Sequence, residues 1–374
     1  MFAPLLLALT LAVVAPAQLD DVLAETDRLI ATGQHEQAVA RLRSERTTHP
    51  DALELEANLG LALLAGGRVD EARAMADQLG GGAGDSYRGQ LLLGHLAFRA
   101  RQADAALPHY RRAAELHAEP VDALVGQVNV FRALGKHGKA VKRALTLTEI
   151  SPATGRRLHA EVLVDQGDKL MAMGPELLTT AAARYQAALK LQPSDRVMLS
   201  RLLDAMVTAA RVDDAERIAA SALVAEEDRA ELLYWRGRSR EAAREFDAAR
   251  VHYQASIALR PEHGETLLHL ARLAVADRRL DEARTWLDGA SQQMDTSPRM
   301  LLLEAEVHVG LADLPAAEAC LTQALKLSPS HSAALYQYAR VLLLSGRREE
   351  GLAAMTHFRD VQKGIMAAQV VEGR

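Results

Sequence analysis

Three histidines in the second half of the chain, His252, His263 and His269, have side chains suited to holding a metal ion. Their spacing is irregular, whereas two ligands on one helix must share a face. His35 is followed by a glutamate, but no second histidine comes four residues after it, so the zinc-protease motif is missing. We therefore expect solvated or helix-end histidines here, with no metal and no other cofactor.

Two further features resemble parts of functional sites but lack what such sites need. The run Gly80–Gly84 is rich in glycine, as a phosphate cradle is, but it follows a helical pattern and lacks the lysine and hydroxyl of a P-loop. Cys320 is the only cysteine and stands beside Leu321, which favours a buried small hydrophobe over a reactive thiol. No G-x-S-x-G motif is present. We expect that the chain is not an enzyme.

The strongest pattern in the chain is a small residue that recurs every 34 positions. A Tyr, Leu, Ala or Met usually follows it by four residues, as Tyr110 follows Ala106. The members are Ala38, Ala72, Ala106, Ala140, Ala181, Ala215, Ala249, Ala283, Ala317 and Gly351, with one longer interval before Ala181. Ten copies of one unit account for almost the whole chain.

Each unit has the pattern of two amphipathic helices joined by a turn. Apolar residues return at helical spacing from Leu233, break around Arg244–Asp247, and resume up to Pro261. Other copies carry glycine in the turn, where a positive φ has no Cβ penalty: Gly33, Gly67, Gly135 and Gly346. Acidic residues follow the turn and are expected to cap the second helix or interact with its dipole.

The unit resembles the tetratricopeptide repeat. The motif expects a small residue at its eighth position, which Gly60, Gly94 and Gly237 supply, and a proline twelve residues after the alanine, as at Pro152 and Pro329. The resemblance implies an all-α, right-handed α-solenoid superhelix of stacked antiparallel helix pairs. It implies about ten repeats over residues 18–363, an insertion in the fifth (about 155–193), and a tail or short cap at 364–374.

Residues 1–17 differ from the rest of the chain. Phe2 to Ala17 carry no charge, and Ala15–Ala17 form a small-x-small cleavage site before Gln18. This indicates a signal peptide and a periplasmic or secreted protein. An uncleaved N-terminal membrane anchor is the alternative, although the run is shorter than the ~20 residues of a spanning helix.

The charge of the chain argues against nucleic acid as a partner. The formal net charge is -5, so no basic surface for nucleic acid is expected. By resemblance, the partner is a protein segment lying along the concave groove that first helices form. Positions two, five, nine and twelve of each first helix are expected to face it: Arg88, His95, Phe98, Asn129, Arg132, Asp204, Tyr234, Arg238, Glu241, Arg272, Arg299, Glu306, Tyr336 and Arg340.

Two subsets of these groove residues have specific chemistry. Arg238, Arg272 and Arg340 occupy one repeat position, so they form a row that could pair with carboxylates of a peptide. The alternative is that they pair only with the chain's own acids, such as Glu241, Glu265 and Glu306. Tyr234 and Tyr336 are candidate exposed anchors, or they fill gaps between repeats.

The sequence thus predicts a non-catalytic scaffold that binds partner segments in its groove, within a bacterial envelope assembly or export process. A periplasmic repeat protein that binds a small molecule or glycan is the alternative. Some relatives clamp the C-terminal carboxylate of a chaperone through a lysine, but Val125 stands at that lysine's position, so this activity is not expected.

Overall fold

The computed structural model describes residues 16–49, 52–80, 86–222 and 229–372. Over these residues the structure is all-α, with twenty α-helices, one short 3-10 turn and no β-strand, as the sequence predicts. The signal peptide falls outside the described residues except for Pro16 and Ala17, and so does most of the glycine run at 80–84.

The chain divides into two compact units, Met1–Leu199 and Ser200–Arg374. The helices of the first are α1 Pro16–Ala31, α2 His35–Arg46, α3 Leu53–Ala65, α4 Val69–Leu79, α5 Tyr87–Arg99, α6 Ala103–Leu116, α7 Val121–Ala133, α8 His137–Ile150, α9 Pro152–Met173 and α10 Leu178–Leu191. Helix α11, Arg196–Thr208, begins in the first unit and ends in the second.

The second unit continues the alternation of helices. Its elements are α12 Val212–Ala222, α13 Arg229–Ala242, α14 Phe246–Leu259, α15 Gly264–Ala276, α16 Leu280–Gln293, α17 Pro298–Gly310, α18 Leu314–Leu327, α19 Ser332–Leu344 and α20 Arg348–Glu372. In both units consecutive helices pack as pairs, and odd-numbered helices also contact the next odd-numbered one, as α3 contacts α5 and α15 contacts α17. The odd-numbered helices are the first helices of the repeats and form a layer of their own in each unit.

The recurring alanines lie at the contacts between helices. All nine, from Ala38 to Ala317, have 0% of their surface exposed. A methyl group lets two helix backbones come close, whereas a longer side chain at the same place would push them apart. The alanine pattern is thus confirmed as a packing pattern.

Three tyrosines on second helices pack against glycines of first helices. Tyr110 lies against both Gly94 and Gly126, Tyr185 lies against Gly167, and Tyr253 lies against Gly237. A Cβ at any of these glycines would overlap the ring, so the ring occupies space that only glycine leaves free. These rings are buried, but their hydroxyl groups reach polar side chains of the odd-numbered helices.

The turn inside nine of the ten repeats contains one residue in the left-handed region. Glycine occupies this place at 33, 67, 135 and 346, as predicted, with φ between 65° and 83°. The equivalent residues Arg101, Ala210, Arg244, Arg278 and Ala312 adopt φ of 57° to 64° although each carries a Cβ. These five positions hold local backbone strain that the neighbouring packing imposes.

The fifth repeat departs from this geometry. Helix α9 is 22 residues long, and it is followed by Gly174, which has φ 141° and ψ 166°. A 3-10 turn at Pro175–Leu177 then leads into α10. The extra residues of this copy therefore lengthen its first helix as well as its turn.

Asp313, which directly follows the turn residue Ala312, caps α18 by accepting a hydrogen bond from the Ala316 N–H, whereas other acidic residues after the turns pair with arginines instead. Glu71, Asp214 and Glu282 lie in the first turn of their helices, where the dipole favours them. Each accepts hydrogen bonds from the arginine three residues earlier, such as Arg68 Nε to Glu71 Oε1 at 2.7 Å. An arginine beside the helix start offers the carboxylate a stronger, charge-assisted partner than the backbone N–H groups do.

The C-terminal helix α20 runs without interruption to Glu372, so the backbone shows no boundary at residue 364. Within the part of the chain that the structure describes, no helix combines the length and apolar character that crossing a bilayer requires.

We predict that Ala312→Gly stabilises the protein and that Gly67→Ala destabilises it. Both residues lie at the left-handed turn position, and nothing lies within 4 Å of a Cβ at Gly67, so its substitution changes only the backbone energy. The expected changes in the free energy of unfolding are about 0.5–1 kcal/mol in each direction. Urea denaturation followed by circular dichroism measures both, and a loss of stability in Ala312→Gly would contradict the strain at this turn.

Candidate functional site

The predicted groove residues lie on the odd-numbered helices, and most of them line three clefts. One cleft lies in the first unit, between α1, α3, α5 and α7. The other two lie in the second unit, one around α13, α15 and α17 and one around α15, α17 and α19. Equivalent positions of successive repeats meet in these clefts, as Arg238 and Arg272 do, because the repeated helix packing places those positions side by side.

The cleft around α13, α15 and α17 is surrounded by arginines, and we call it the arginine cleft. It has a volume of about 500 Å³, and Arg238, Arg244, Arg272 and Arg299 line it together with Glu241 and His269. Three of these arginines and Glu241 are predicted groove residues. Arg299 comes from a different repeat position than Arg238 and Arg272, so the structure assembles a cluster that is not the row expected from the sequence.

Glu241 is the centre of the arginine cleft. Its side chain is 5% exposed, which is rare for a carboxylate without partners. Oε2 accepts hydrogen bonds from the Tyr253 hydroxyl and from His269 Nδ1, each at 2.7 Å, and Oε1 pairs with the Arg272 guanidinium. Both carboxylate oxygens of Glu241 thus face groups of its own chain, Oε2 through hydrogen bonds and Oε1 through charge alone.

His269 links Glu241 to Arg299. Its Nδ1–H donates to Glu241, and its Nε2 accepts from Arg299 Nη2 at 3.0 Å, which requires a neutral ring. Burial lowers the pKa of His269 well below its usual value of 6.5, and the charges of Arg299 and Arg238 lower it further. The ring is thus uncharged at neutral pH.

Arg238 is held by aromatic side chains. Its Nη1 donates to the Tyr234 hydroxyl at 3.0 Å, and its guanidinium carbon lies 5.5 Å from the centre of the Trp235 ring. Its nearest acid is the predicted groove residue Asp204, at 3.7 Å, which is beyond hydrogen-bond distance. Much of the hydrogen-bonding capacity of Arg238 is therefore still free.

The arginines of this cleft repel one another. Desolvation lowers the pKa of Arg272, and the positive charges of Arg299 and Arg238 lower it further. Among the described residues, Arg299 has Glu265, at 3.7 Å, as its one acidic partner. Positive charge thus exceeds negative charge around the cleft, and an anion entering it would relieve the repulsion.

The two tyrosines expected as exposed anchors differ. Tyr234 is only 5% exposed and packs against Trp235, Tyr253, His263 and His269, so it supports the arginine cleft from beneath. Of the two alternatives for Tyr234, this burial fits a ring that fills a gap between repeats, because its neighbours enclose it. Tyr336 is 42% exposed and lies near Phe358 and the Arg340 guanidinium, so it remains open to a partner.

The third predicted arginine of the row lies in a smaller cleft of about 230 Å³. Arg340 donates to Gln337, and Gln337 donates to Glu306 at 3.4 Å. Burial raises the pKa of Glu306, and the charge of Arg340 partly opposes this. Within the row, Arg272 pairs with Glu241 of its own chain, while Arg238 and Arg340 keep only loose internal partners. Pairing of the row with a peptide stays a prediction.

The cleft of the first unit, here the unit 1 groove, is larger and more apolar. It has a volume of about 820 Å³ and includes the predicted residues His95 and Phe98. The His95 Nδ1 lies 2.8 Å from the Tyr110 hydroxyl, and burial lowers the pKa of His95. The other lining residues are Asp27, Ile30, Ala31, Asn58, Leu61, Leu64, Ala65, Leu91, Arg99 and Asp122.

Three more predicted residues lie on α5 and α7. Arg88 pairs with Asp27 and, at 3.6 Å, with Glu54. Arg132 pairs with Asp165 and Glu161, and the hydrogen bond to Asp165 raises its pKa. Asn129 is half-buried on α7. Arg88 and Arg132 thus stabilise neighbouring odd-numbered helices and offer little to a partner.

The described residues contain no group of three or more His, Cys, Asp or Glu side chains that could hold a metal ion. Cys320 is half-buried in an apolar cluster, and burial followed by the nearby Glu304 carboxylate raises its pKa to about 11. Its thiol is therefore protonated at neutral pH and a poor nucleophile.

Sequence patterns alone missed two parts of these clefts. His269 is expected from the sequence to be solvated or at a helix end, but it is buried inside α15 because it packs over Glu241 and the neighbouring aromatic rings. Tyr253 completes the Glu241 cluster, and its only sequence signal was an aromatic residue four positions after Ala249. Asn58, which is buried under the unit 1 groove, stands in a run of apolar residues and carries no motif.

Comparisons with known proteins agree with the repeat pattern. Family models described as tetratricopeptide repeat match residues 23–86, 91–153, 241–307 and 302–356. No curated protein matches the sequence significantly.

Many solved structures are similar in fold. The APC/C heterotetramer Cut9–Hcn1 is 14% identical, with a TM-score of 0.46 over 92% of this chain and 73% of that one. PilF of Pseudomonas aeruginosa is 17% identical, with a TM-score of 0.37 over 69% and 97%. A MamA RS-1 double mutant is 14% identical, with a TM-score of 0.38 over 44% and 96%. With values this low, none of the three indicates the partner of this chain.

We predict that the second unit loses stability as the pH falls below 6.5, and that His269→Gln reduces this loss. The pKa of His269 is lowered in the folded state, so the unfolded chain takes up the proton first, and its stability rises with pH in this window. His269 changes the free energy of unfolding by up to about 1.4 kcal/mol per pH unit.

The fluorescence of Trp235 and Trp286 during urea unfolding measures this change, because both tryptophans of the chain lie in the second unit. The exposed His357→Gln on α20 is the matched control and should behave as the wild type. If the wild type, His269→Gln and His357→Gln all lose the same stability as the pH falls, His269 does not cause the loss.

Proposed function

Because the chain is a tetratricopeptide-repeat protein, we propose that it is a non-catalytic scaffold whose arginine cleft receives acidic side chains of an extended protein segment. The observation that carries this proposal is the convergence of Arg238, Arg272 and Arg299 on one cleft in which Glu241 is the only buried acid. Stacked first helices offer a surface that lies across several repeats, which suits an extended segment.

The loose pairs of the cleft favour exchange with a ligand. Arg238–Asp204 and Arg299–Glu265 are each 3.7 Å apart and partly exposed, so they contribute little to stability. A carboxylate of the partner could approach a guanidinium with two parallel hydrogen bonds, which is the geometry that arginine offers best. Binding would thus replace weak pairs by stronger ones.

The position of Arg340 predicts how far apart the acidic residues of the bound segment lie. Arg272 lies on α15 and Arg340 lies on α19, two first helices further along. Packed helices are roughly 10 Å apart, and an extended chain rises about 3.3 Å per residue. Acidic residues about six positions apart would therefore meet both arginines, with the open ring of Tyr336 beside the second.

The proposal also covers the cellular compartment in which the protein acts. We infer that the scaffold acts outside the cytoplasm, in an envelope assembly or an export process, because an uncharged leader with a small-x-small site precedes the first repeat. Mass spectrometry of the protein purified from its own cells should find an N-terminus at Gln18. Retention of Met1–Ala17 in a membrane fraction would favour the anchor instead.

We predict that the double variant Arg272→Gln with Arg299→Gln binds an acidic peptide more weakly than the wild type. The probe is a short fluorescein-labelled peptide with two glutamates six positions apart between Gly-Ser flanks, and anisotropy measures its affinity for the full chain. Loss of two charge-assisted hydrogen bonds should weaken binding by at least about tenfold. Added salt should weaken the wild-type complex as well.

The control is Arg284→Glu, which changes an exposed residue on the even-numbered helix α16. It should leave the affinity for the peptide unchanged. If this variant weakens binding as much as the cleft variant does, the peptide senses only the overall charge, and the proposed site is wrong. Saturable binding of a glycan that the cleft variant abolishes, with no peptide binding, would favour the alternative of a glycan-binding protein.

A further inference from the structure

The floor of the unit 1 groove is an apolar stripe built from one repeat position. Ile30, Leu64 and Phe98 stand at equivalent places near the ends of α1, α3 and α5, with Leu61 beside them. Ile30, Leu61 and Phe98 are only half-buried, so they leave apolar surface in contact with water. The volume of about 820 Å³ has room for one or two large side chains.

One wall of the unit 1 groove is acidic. Asp27 and Asp122 both line it, and among the described residues no lysine or arginine forms an ion pair with Asp122. Desolvation raises the pKa of Asp122, and the carboxylate of Asp27 raises it further, while Arg88 partly opposes this. Arg88 itself is already held by Asp27 and Glu54. A cation beside Asp122 would therefore be favourable.

A buried acceptor lies under the same groove. Asn58 is 0% exposed, and its Nδ2 donates to the Thr26 hydroxyl at 2.9 Å. Thr26 in turn donates to the Val22 carbonyl, so the orientation of the amide is determined, and Oδ1 is left without a donor. A buried acceptor without a partner costs free energy that an N–H group reaching the groove floor would recover.

From these three observations we propose that the unit 1 groove binds a protein segment in which a large apolar side chain is adjacent to a lysine or arginine. The apolar side chain occupies the stripe of Ile30, Leu64 and Phe98, and the cation lies beside Asp122. This inference rests on the scaffold role proposed above and adds a second kind of segment to it. The two units would then bind segments of opposite charge.

The test uses the full chain and a short fluorescein-labelled peptide with a Leu-Leu-Arg-Lys core between Gly-Ser flanks. Two comparison peptides carry Leu-Leu-Glu-Glu or Ser-Ser-Arg-Lys in the same flanks. The first peptide should bind saturably and at least about tenfold more tightly than either comparison peptide, because both the apolar contact and the charge are needed.

Two variants locate the binding in the groove. Phe98→Ala should weaken binding of the first peptide about tenfold through lost apolar contact, and Asp122→Asn should weaken it about three- to tenfold through lost charge. Asp104→Asn is the matched control, because Asp104 is, like Asp122, an exposed acid in the first turn of a helix, but it lies outside the groove. It should bind the peptide as the wild type does.

The inference is overturned if the Ser-Ser-Arg-Lys peptide binds as tightly as the first peptide, or if neither groove variant changes the affinity. It is also overturned if a fatty acid displaces the peptide and binds the Asp122→Asn variant as tightly as the wild type. The acidic peptide of the arginine cleft is measured on the same variants and should bind them normally. Failure of that peptide alone contradicts the arginine cleft, whereas failure of the basic peptide alone contradicts the unit 1 groove.

Discussion

Close contact between paired helices at the recurring small residues is the constraint on which the rest of the structure depends. The nine alanines are fully buried, and the glycines beside Tyr110 and Tyr253 leave room for an aromatic ring where any Cβ would overlap it. Because protein interiors are close-packed, one larger side chain at such a contact would shift a helix pair and every repeat that packs on it. The small residues therefore set the spacing of the first helices.

That spacing turns sequence position into spatial position. Residues 34 apart on successive first helices lie side by side, so the chemistry of each cleft follows from how one repeat position varies. The unit 1 groove is apolar because Ile30, Leu64 and Phe98 share one repeat position there. The arginine cleft is cationic because Arg238 and Arg272 share one repeat position there. The left-handed residue in nine of the ten turns keeps this register, even at the five positions where a Cβ makes it strained.

The tyrosines of the second helices connect packing with the clefts. Tyr253 fills the space over Gly237, and its hydroxyl donates to Glu241 in the cleft, so a core residue also orients a surface carboxylate. Glu241 then holds His269 and Arg272, and His269 accepts from Arg299. Four helices contribute to this network, and within it Glu241 Oε1 has an ion pair with Arg272 but no hydrogen bond.

The sequence by itself determined the all-α class, the repeat length, the helix pairs and the glycine turns, because helical periodicity and left-handed glycine are local properties of the chain. It also placed most groove residues on the correct helices. Only the tertiary structure decided which of them meet: Arg299 joined Arg238 and Arg272, Tyr234 was buried, and Asn58 came to lie beneath a groove. These outcomes depend on side chains from several repeats that fill one space, and no local pattern encodes how that space is shared.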